Sequence, residues 1–504
     1  MSALTDPRKS KSFRFVRHEY ADGEARLVYA FDDGPDMIER VGFPDASPLL
    51  PERRAAFDAA LKLLHLIAGV SYYKAGVPGE IVVDQDVLDA PTAGLLDEIY
   101  LHGLAEFAYQ NKIDLRGRIR FPYARHPGAS RDPVPLAKSE ELDSGLRRTA
   151  EAGSRSEQRS WPEGRAADAA SNDEHRGQGA LSLHSRSATA LNLPRRTLVP
   201  IGGGKDSLVS VEMLKSVHEP MTAVWVGDSA LIAACARRTG LPTLNLKRTL
   251  APELFEYNRL GALNGHVPVT AINSAILLCA AILYGYDAIA FSNERSASVA
   301  TLEYDGQPVN HQWSKGLDFE RALRDYVKSH IAADLDYFSL LRPWSELAVT
   351  REFARRPQYD DVFSSCNRNF RISGARPSDR WCGQCPKCHF VFLALAPFVA
   401  KPRLLAIFGR NLLDDAALAP GFDALLEYRG HKPFECVGEG RESRAAMHAL
   451  TQRPEWAEDA LVTRFATEIA PQLDRTELDL ASLLQPSPEH FVPERLRGLL
   501  HGAA

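Results

Sequence analysis

No uninterrupted apolar run in this 504-residue chain exceeds about ten residues, against the roughly twenty a helix needs to cross a bilayer. The longest runs are Ala275–Tyr284 and Phe390–Phe398, so no membrane span is expected. The first residues, MSALTDPRKSKSFRF, carry positive charge but no apolar core, and a secretory signal is not expected either. Cysteine is scarce: seven in the whole chain rule out a disulfide scaffold, and four of them cluster, which points to metal chemistry in a reducing compartment. A basic surplus is missing too. Sixty Lys plus Arg against 65 Asp plus Glu leave a net charge of -5, which argues against a surface made to grip nucleic acid but permits a local basic pocket. Internal repeats are absent. What is present, 45% hydrophobic and 25% charged residues, suits a large buried core, about two to four domains at roughly 150 residues each. The composition reads as a cytoplasmic globular enzyme.

One stretch stands apart. Of the 64 residues from Pro127 to Ala190 only seven are Val, Leu, Ile, Met, Phe, Tyr or Trp. Such a segment cannot bury enough apolar area to offset its ordering entropy, so residues 124–195 are expected to be a flexible linker or insertion. Before it, Phe13–Tyr20 and Ala25–Phe31 alternate apolar and polar residues around Asp22-Gly23, a hairpin signal. Helical spacing over Arg53–Ala68, a strand at Ile81–Val83 and a second helix over Thr92–Asn111 complete a small α+β domain at 12–123. After the linker, strands and helices alternate. Strands are expected at Thr197–Ile201, Thr222–Val226, Thr243–Leu246 and Ala288–Phe291, with helices at Ser207–Val217, Ala230–Thr239 and Ile272–Tyr284 between them. Strands separated by helices of ten to fifteen residues imply a doubly wound parallel sheet at 196–345, with ligands beyond the strands' carboxyl ends. Residues 346–504 are expected to hold a metal knuckle and a mostly helical extension.

The first strand–helix turn reads LVPIGGGKDSLVS. Gly202, Gly203 and Gly204 leave several N–H groups free to face an anion where a helix begins. Lys205 adds positive charge, Asp206 a metal-directed carboxylate and Ser207 a phosphate-directed hydroxyl. A Walker loop is excluded because position 199 is Val and Asp206 follows the lysine; a dinucleotide fingerprint is excluded because Ser207 stands where the third glycine belongs. The loop resembles the SGGxDS loop of the ATP pyrophosphatase, or PP-loop, superfamily, whose members split ATP into AMP and pyrophosphate. Gly202 replaces that motif's first serine, which leaves pyrophosphate more dependent on backbone donors.

Cys366 is followed by WCGQCPKCH, with Cys382, Cys385 and Cys388 at two-residue gaps. Such gaps let a tight turn aim neighbouring thiolates at one ion, and a distant fourth thiolate completes a tetrahedron. Four sulfurs suit a structural zinc, with an iron–sulfur cluster as the alternative. Cys235, Cys279 and Cys436 are read as buried packing thiols. Within the superfamily, SSCN followed by CGQCPKC resembles the zinc knuckle of 7-cyano-7-deazaguanine synthases, with a longer first gap.

Three further polar clusters, NGHVPVT, SNERSAS and NHQWSKG, fall beyond strands or in loops of the catalytic half. Lys315 and Arg295 could neutralise phosphates or a carboxylate, and Glu294 or His311 could move a proton. GEGRESR at 438–444 is a weaker anion-site candidate.

Together with HLIAGVSYYKA, FSNERSAS, WCGQCPKCHFVFLALAPF, IFGRNLLDDA and HKPFECVGEGRESRAAM, these segments resemble the UDP-N-acetyl-α-D-muramoyl-L-alanyl-L-glutamate epimerases of certain proteobacteria, from about residue 13 to about residue 470. The polar segment after Pro127 is the poorly matched stretch. The resemblance implies a PP-loop ATP pyrophosphatase type of sheet. It also implies ATP- and magnesium-dependent inversion of the terminal L-glutamate of a UDP-muramoyl dipeptide, a functional link to the ligase that adds L-glutamate, and neither a nucleic acid nor a membrane partner. Adenylation would erase the charge of the α-carboxylate and make the neighbouring C–H acidic enough to remove. Glu294, His311, Lys315 and His266 are the candidates for moving the proton. Two other readings stay open: a nitrile-forming or thiolating PP-loop enzyme, and a non-catalytic zinc-containing nucleotide-binding protein.

Overall fold

Nine strands among the described residues form one sheet in the order β11 (Asp336–Ser339), β8 (Ala288–Phe291), β5 (Thr197–Pro200), β6 (Met221–Val226), β7 (Thr243–Thr249), β3 (Met37–Gly42), β2 (Glu24–Phe31), β1 (Ser12–Ala21) and β4 (Glu80–Val83). The structure is a computed structural model that describes residues 4–124, 188–370 and 377–500. The expected linker therefore lies almost wholly outside the described residues. In chain order the strands are β1 (Ser12–Ala21), β2 (Glu24–Phe31), β3 (Met37–Gly42), β4 (Glu80–Val83), β5 (Thr197–Pro200), β6 (Met221–Val226), β7 (Thr243–Thr249) and β8 (Ala288–Phe291). A separate hairpin, β9 (Leu302–Tyr304) with β10 (Gln307–Val309), precedes β11 (Asp336–Ser339).

The doubly wound half follows from its sequence. β11, β8, β5, β6 and β7 all pair in parallel, each joined to the next by helical connections that the 3.6-residue spacing marks. Side chains of these strands alternate between two cores. Leu198, Val224, Ile289 and Tyr337 face the core that contains helices Arg54–Ala68 and Val269–Tyr284. Val199, Ala223, Ala288, Ala290 and Phe338 face the other core, with helices Lys205–Ser216, Glu346–Ala354 and Pro386–Leu395. The α/β class with a large, mostly parallel sheet is as expected.

β1 and β2 form the expected hairpin. Asp22 and Gly23 carry φ of +52° and +76° at its turn, the left-handed pair such a hairpin turn needs. Their sheet continues into the parallel half. β3 pairs antiparallel with β7 through Arg40↔Thr249, Val41↔Arg248 and Gly42↔Lys247. A buried ion pair, Arg248 Nε to Glu39 Oε1 at 2.7 Å, lies at that seam, and the same guanidinium donates to Ser71 Oγ. The helix expected over Thr92–Asn111 is two helices, Ala90–Gly103 and Ala105–Asn111, separated at Leu104.

The segment Pro51–Tyr73 is long and apolar enough to cross a membrane by length and composition. An 18-residue window of it is 78% buried inside the protein, and helix Arg54–Ala68 packs on Val269–Tyr284, which makes it a core element.

Candidate active site

The carboxyl end of β5 opens into the glycine loop, and Gly204 caps the helix Lys205–Ser216. Gly203 has φ +82°, which a residue with a Cβ rarely adopts, so a glycine is needed there. Its carbonyl accepts from the Ser364 N–H at 2.9 Å. At Gly204 the requirement is space, since a methyl group would sit 2.6 Å from Ser365 Oγ. The exposed Gly202 has no such neighbour.

Below this loop lies a cavity of about 340 Å³. Gly202, Gly204, Asp206 and Ser207 of the glycine loop line it together with Asn293, Lys315, Lys387 and Cys436. Lys205 does not line it. Its ammonium is buried, donating to Glu346 Oε2 at 2.8 Å and to Asp206 Oδ1, so its charge is neutralised beneath the loop. Burial pulls that ammonium's pKa down, but Asp206 and Glu346 more than offset it and hold it above the ordinary lysine value.

Glu294 follows Asn293 beyond the end of β8 and is buried. Burial, together with the Glu346 and Asp206 carboxylates, pushes it up to about 7 against the pull of Lys315 and Lys205. A carboxyl so placed can both take and give a proton near neutrality. Its backbone is held firmly. Arg342, paired in the core with Glu320, donates to the carbonyl of Glu294 at 2.7 Å and to that of Lys315. One buried guanidinium thus fixes the spacing of two candidate residues from separate loops.

His311 and His266 come together around Glu106 on helix Ala105–Asn111, and neither lines the cavity. His311 Nδ1 is hydrogen-bonded to Glu106 Oε2, His266 Nδ1 lies 3.8 Å from the same oxygen, and the two rings are 4.3 Å apart. Burial lowers His266 to about 3, helped by His311 and Lys315. Burial also pulls on His311, but Cys436 and Glu106 outweigh it and raise that imidazole to about 9.

Cys436 departs from expectation. It is half-buried and lines the cavity, so it is not a packing thiol like Cys235 and Cys279, which are fully buried. Lys315 Nζ donates to its sulfur at 3.2 Å, His311 interacts with it electrostatically, and Lys387 Nζ donates to its carbonyl oxygen. Burial would push the thiol up; Lys315, His311 and Lys387 bring it down to about 5. Glu106, Lys387 and Glu346 were likewise not singled out from the sequence. The only signal was that Cys436 and Lys387 sit inside the segments HKPFECVGEGRESRAAM and CGQCPKC.

The four expected cysteines converge. Sulfur–sulfur distances are 3.9 Å for Cys366–Cys385, 3.7 Å for Cys382–Cys388 and 3.5 Å for Cys385–Cys388, and all four sulfurs lie within 4.8 Å of one another. A tetrahedron with metal–sulfur bonds of about 2.3 Å has edges of about 3.8 Å, so the donor set fits a four-coordinate zinc. His389 is not part of it. The sulfur group is also joined to the glycine loop: Cys366 follows Ser364, which binds Gly203, and Ser365, which abuts Gly204.

Comparison with known proteins accounts for nearly the whole chain. The family model described as the MurL N-terminal domain matches residues 4–143 and 169–340, and that of the MurL C-terminal domain matches residues 362–480. The chain is 52% identical over 499 residues to the UDP-N-acetyl-alpha-D-muramoyl-L-alanyl-L-glutamate epimerase of Xanthomonas oryzae pv. oryzae, covering 98% of each. Proteins of the same name from Salinispora tropica and Micromonospora sp. are 38% and 36% identical. They cover 97% and 96% of this chain, and 95% and 97% of their own length.

Proposed function

The chain belongs to the UDP-N-acetyl-α-D-muramoyl-L-alanyl-L-glutamate epimerase family and is an isomerase; from that premise we propose that it inverts the terminal L-glutamate of its UDP-muramoyl dipeptide after adenylating the α-carboxylate with ATP. The observation that carries this reading is that one cavity is lined by Gly202, Gly204, Asp206 and Ser207 together with Lys315 and Asn293. Adenylation and proton transfer can then occur on one bound glutamate.

The residues fit their parts. Bare N–H groups at the start of helix Lys205–Ser216 receive phosphate oxygens as pyrophosphate leaves, and Asp206 holds the magnesium that accompanies the nucleotide. Lys315 offsets the negative charge that develops on the carbonyl oxygen. Glu294 is the proton-moving group nearest neutrality, and removing the α-proton from one face and returning one to the other inverts the centre. Water then releases the inverted residue and AMP. Zinc on Cys366, Cys382, Cys385 and Cys388 holds the Ser364–Cys366 segment against the glycine loop and takes no part in the chemistry. On this reading the enzyme works in the cytoplasm, downstream of the ligase that adds L-glutamate.

Turnover in deuterated water tests it. Deuterium is expected at the α-carbon of the terminal glutamate only when ATP and magnesium are both present, with AMP accumulating in parallel. A thiolating or nitrile-forming enzyme would make AMP without α-label. Label entering without ATP would sever the glycine loop from the epimerisation and refute the proposal.

A further inference from the structure

We infer that Cys436 takes the acyl group from the adenylate, so that the glutamate is inverted as a thioester on the protein. The inference rests on the adenylation reading above and assigns a nucleophile that the reading does not require. It stands on placement. Cys436 lines the cavity together with Asp206, Ser207 and Lys315, and Lys315 Nζ lies 3.2 Å from its sulfur. The His311 imidazole interacts electrostatically with the sulfur, and Glu106 is hydrogen-bonded to its Nδ1. Thiol, imidazole and carboxylate in this order form the arrangement that activates a nucleophile: the base is oriented by a third group and the thiolate is stabilised by an adjacent cation. The three residues come from helix Ala105–Asn111, from the loop after β10 and from the segment before helix Gly440–Thr451.

A packing role does not explain this environment. The Lys315 ammonium at 3.2 Å from the sulfur favours its thiolate form. His266, neutral and packed against His311, adds no further charge to the group, and Glu294 contributes the carboxylate that also faces Lys315.

The chemistry balances. The thiolate attacks the adenylate carbonyl; a C–S bond forms, the bond from the carbonyl carbon to the phosphate oxygen breaks, and its electrons leave with AMP. The α-proton passes to a base and a proton returns on the opposite face. Water adds to the thioester carbonyl, the C–S bond breaks, and the α-carboxylate and the thiolate are formed with release of two protons. Sulfur donates less to a carbonyl than oxygen does, so the α C–H remains acidic after the anionic nucleotide has gone. The net consumption, one ATP to AMP and pyrophosphate, is that of the parent reading.

The test is acid quench of the full-length enzyme after milliseconds to seconds with UDP-muramoyl-L-Ala-L-Glu radiolabelled in the glutamate, ATP and magnesium. A protein-bound label, released by neutral hydroxylamine and mapped by mass spectrometry to Cys436, is expected. Cys436→Ala and the near-isosteric Cys436→Ser should both lose epimerisation by at least about a hundredfold. Substrate-dependent exchange of pyrophosphate into ATP by the wild type reports adenylation independently of the thiol. Exchange without any trapped adduct overturns the thioester and leaves adenylation standing, and loss of turnover in the variants would then make the thiol a base. Epimerisation within tenfold of wild type in either variant also overturns it. Absence of exchange removes both readings together.

Discussion

Replacing Glu346 with Gln probes the buried charge group beneath the glycine loop. Glu346 is the first residue of helix Glu346–Ala354, with Lys205 Nζ at 2.8 Å and Lys387 Nζ at 3.6 Å, and all three residues are buried. Losing one partner of a buried pair costs about 3–5 kcal/mol, because the other is left as an uncompensated charge. Here Asp206 remains on Lys205, so we expect about 2–3 kcal/mol. At about 2–4 °C per kcal/mol for domains of 150–250 residues, the melting temperature should fall by about 4–12 °C. The loss should depend on pH. Burial pushes the Glu346 carboxyl up, but Lys205 and Lys387 outweigh it and hold its pKa below the unfolded value of 4.5. Its contribution is therefore present above pH 4.5 and disappears as pH falls through the folded pKa. The gap between wild type and Glu346→Gln should be level near neutrality and close in acid. A second readout is independent of stability. Glu346 is one of the two carboxylates that raise Glu294, so the proton-moving group near 7 should titrate at lower pH in the variant, displacing the pH–rate profile to the acid side. Thermal denaturation from pH 3.5 to 8 and initial rates over the same range measure both. A melting temperature unchanged at pH 7, or a gap that widens in acid, would refute the electrostatic argument.

Cys382→Ser should lose the metal, taking zinc by elemental analysis from about one per chain to near none; because the same segment supports Gly203 and Gly204, ATP affinity should weaken with it, and full nucleotide binding by the metal-free variant would disprove that coupling. Gly204→Ala places a methyl group 2.6 Å from Ser365 Oγ and should cost about 1–3 kcal/mol by chemical denaturation. Adding Ser365→Ala to it should restore most of that loss, and a double variant no more stable than Gly204→Ala would show that the contact is not the cause.

The parts of the site carried by short stretches of chain were legible. A glycine run between a β-branched strand and a helix can only be a strand–helix turn, and two-residue gaps between cysteines bring sulfurs within reach of one another whatever surrounds them. Hydrophobic periodicity likewise placed four strands of the parallel half, with Ala288–Phe291 found at the expected bounds, but not the edge strand β11 (Asp336–Ser339). β3 was not found, because MIERVG carries Glu39 on a buried position that only Arg248, two hundred residues away, makes tolerable. Cys436 was misread for a similar reason. A single cysteine in an ordinary segment resembles any core thiol until Lys315, His311 and Lys387 are seen around it.

Local order along the chain thus determined the sheet type, the glycine loop and the sulfur group, since backbone conformation and ligand spacing are set by neighbours in sequence. Only the tertiary structure decided which charges meet: that Lys205 turns inward to Glu346 and away from the cavity, that Glu106 from the N-terminal segment reaches His311, and that Cys436 faces the same cavity as the glycine loop. Electrostatic interactions act through space at a few ångströms and depend on desolvation, and neither distance nor burial is written in the separation of residues along the chain.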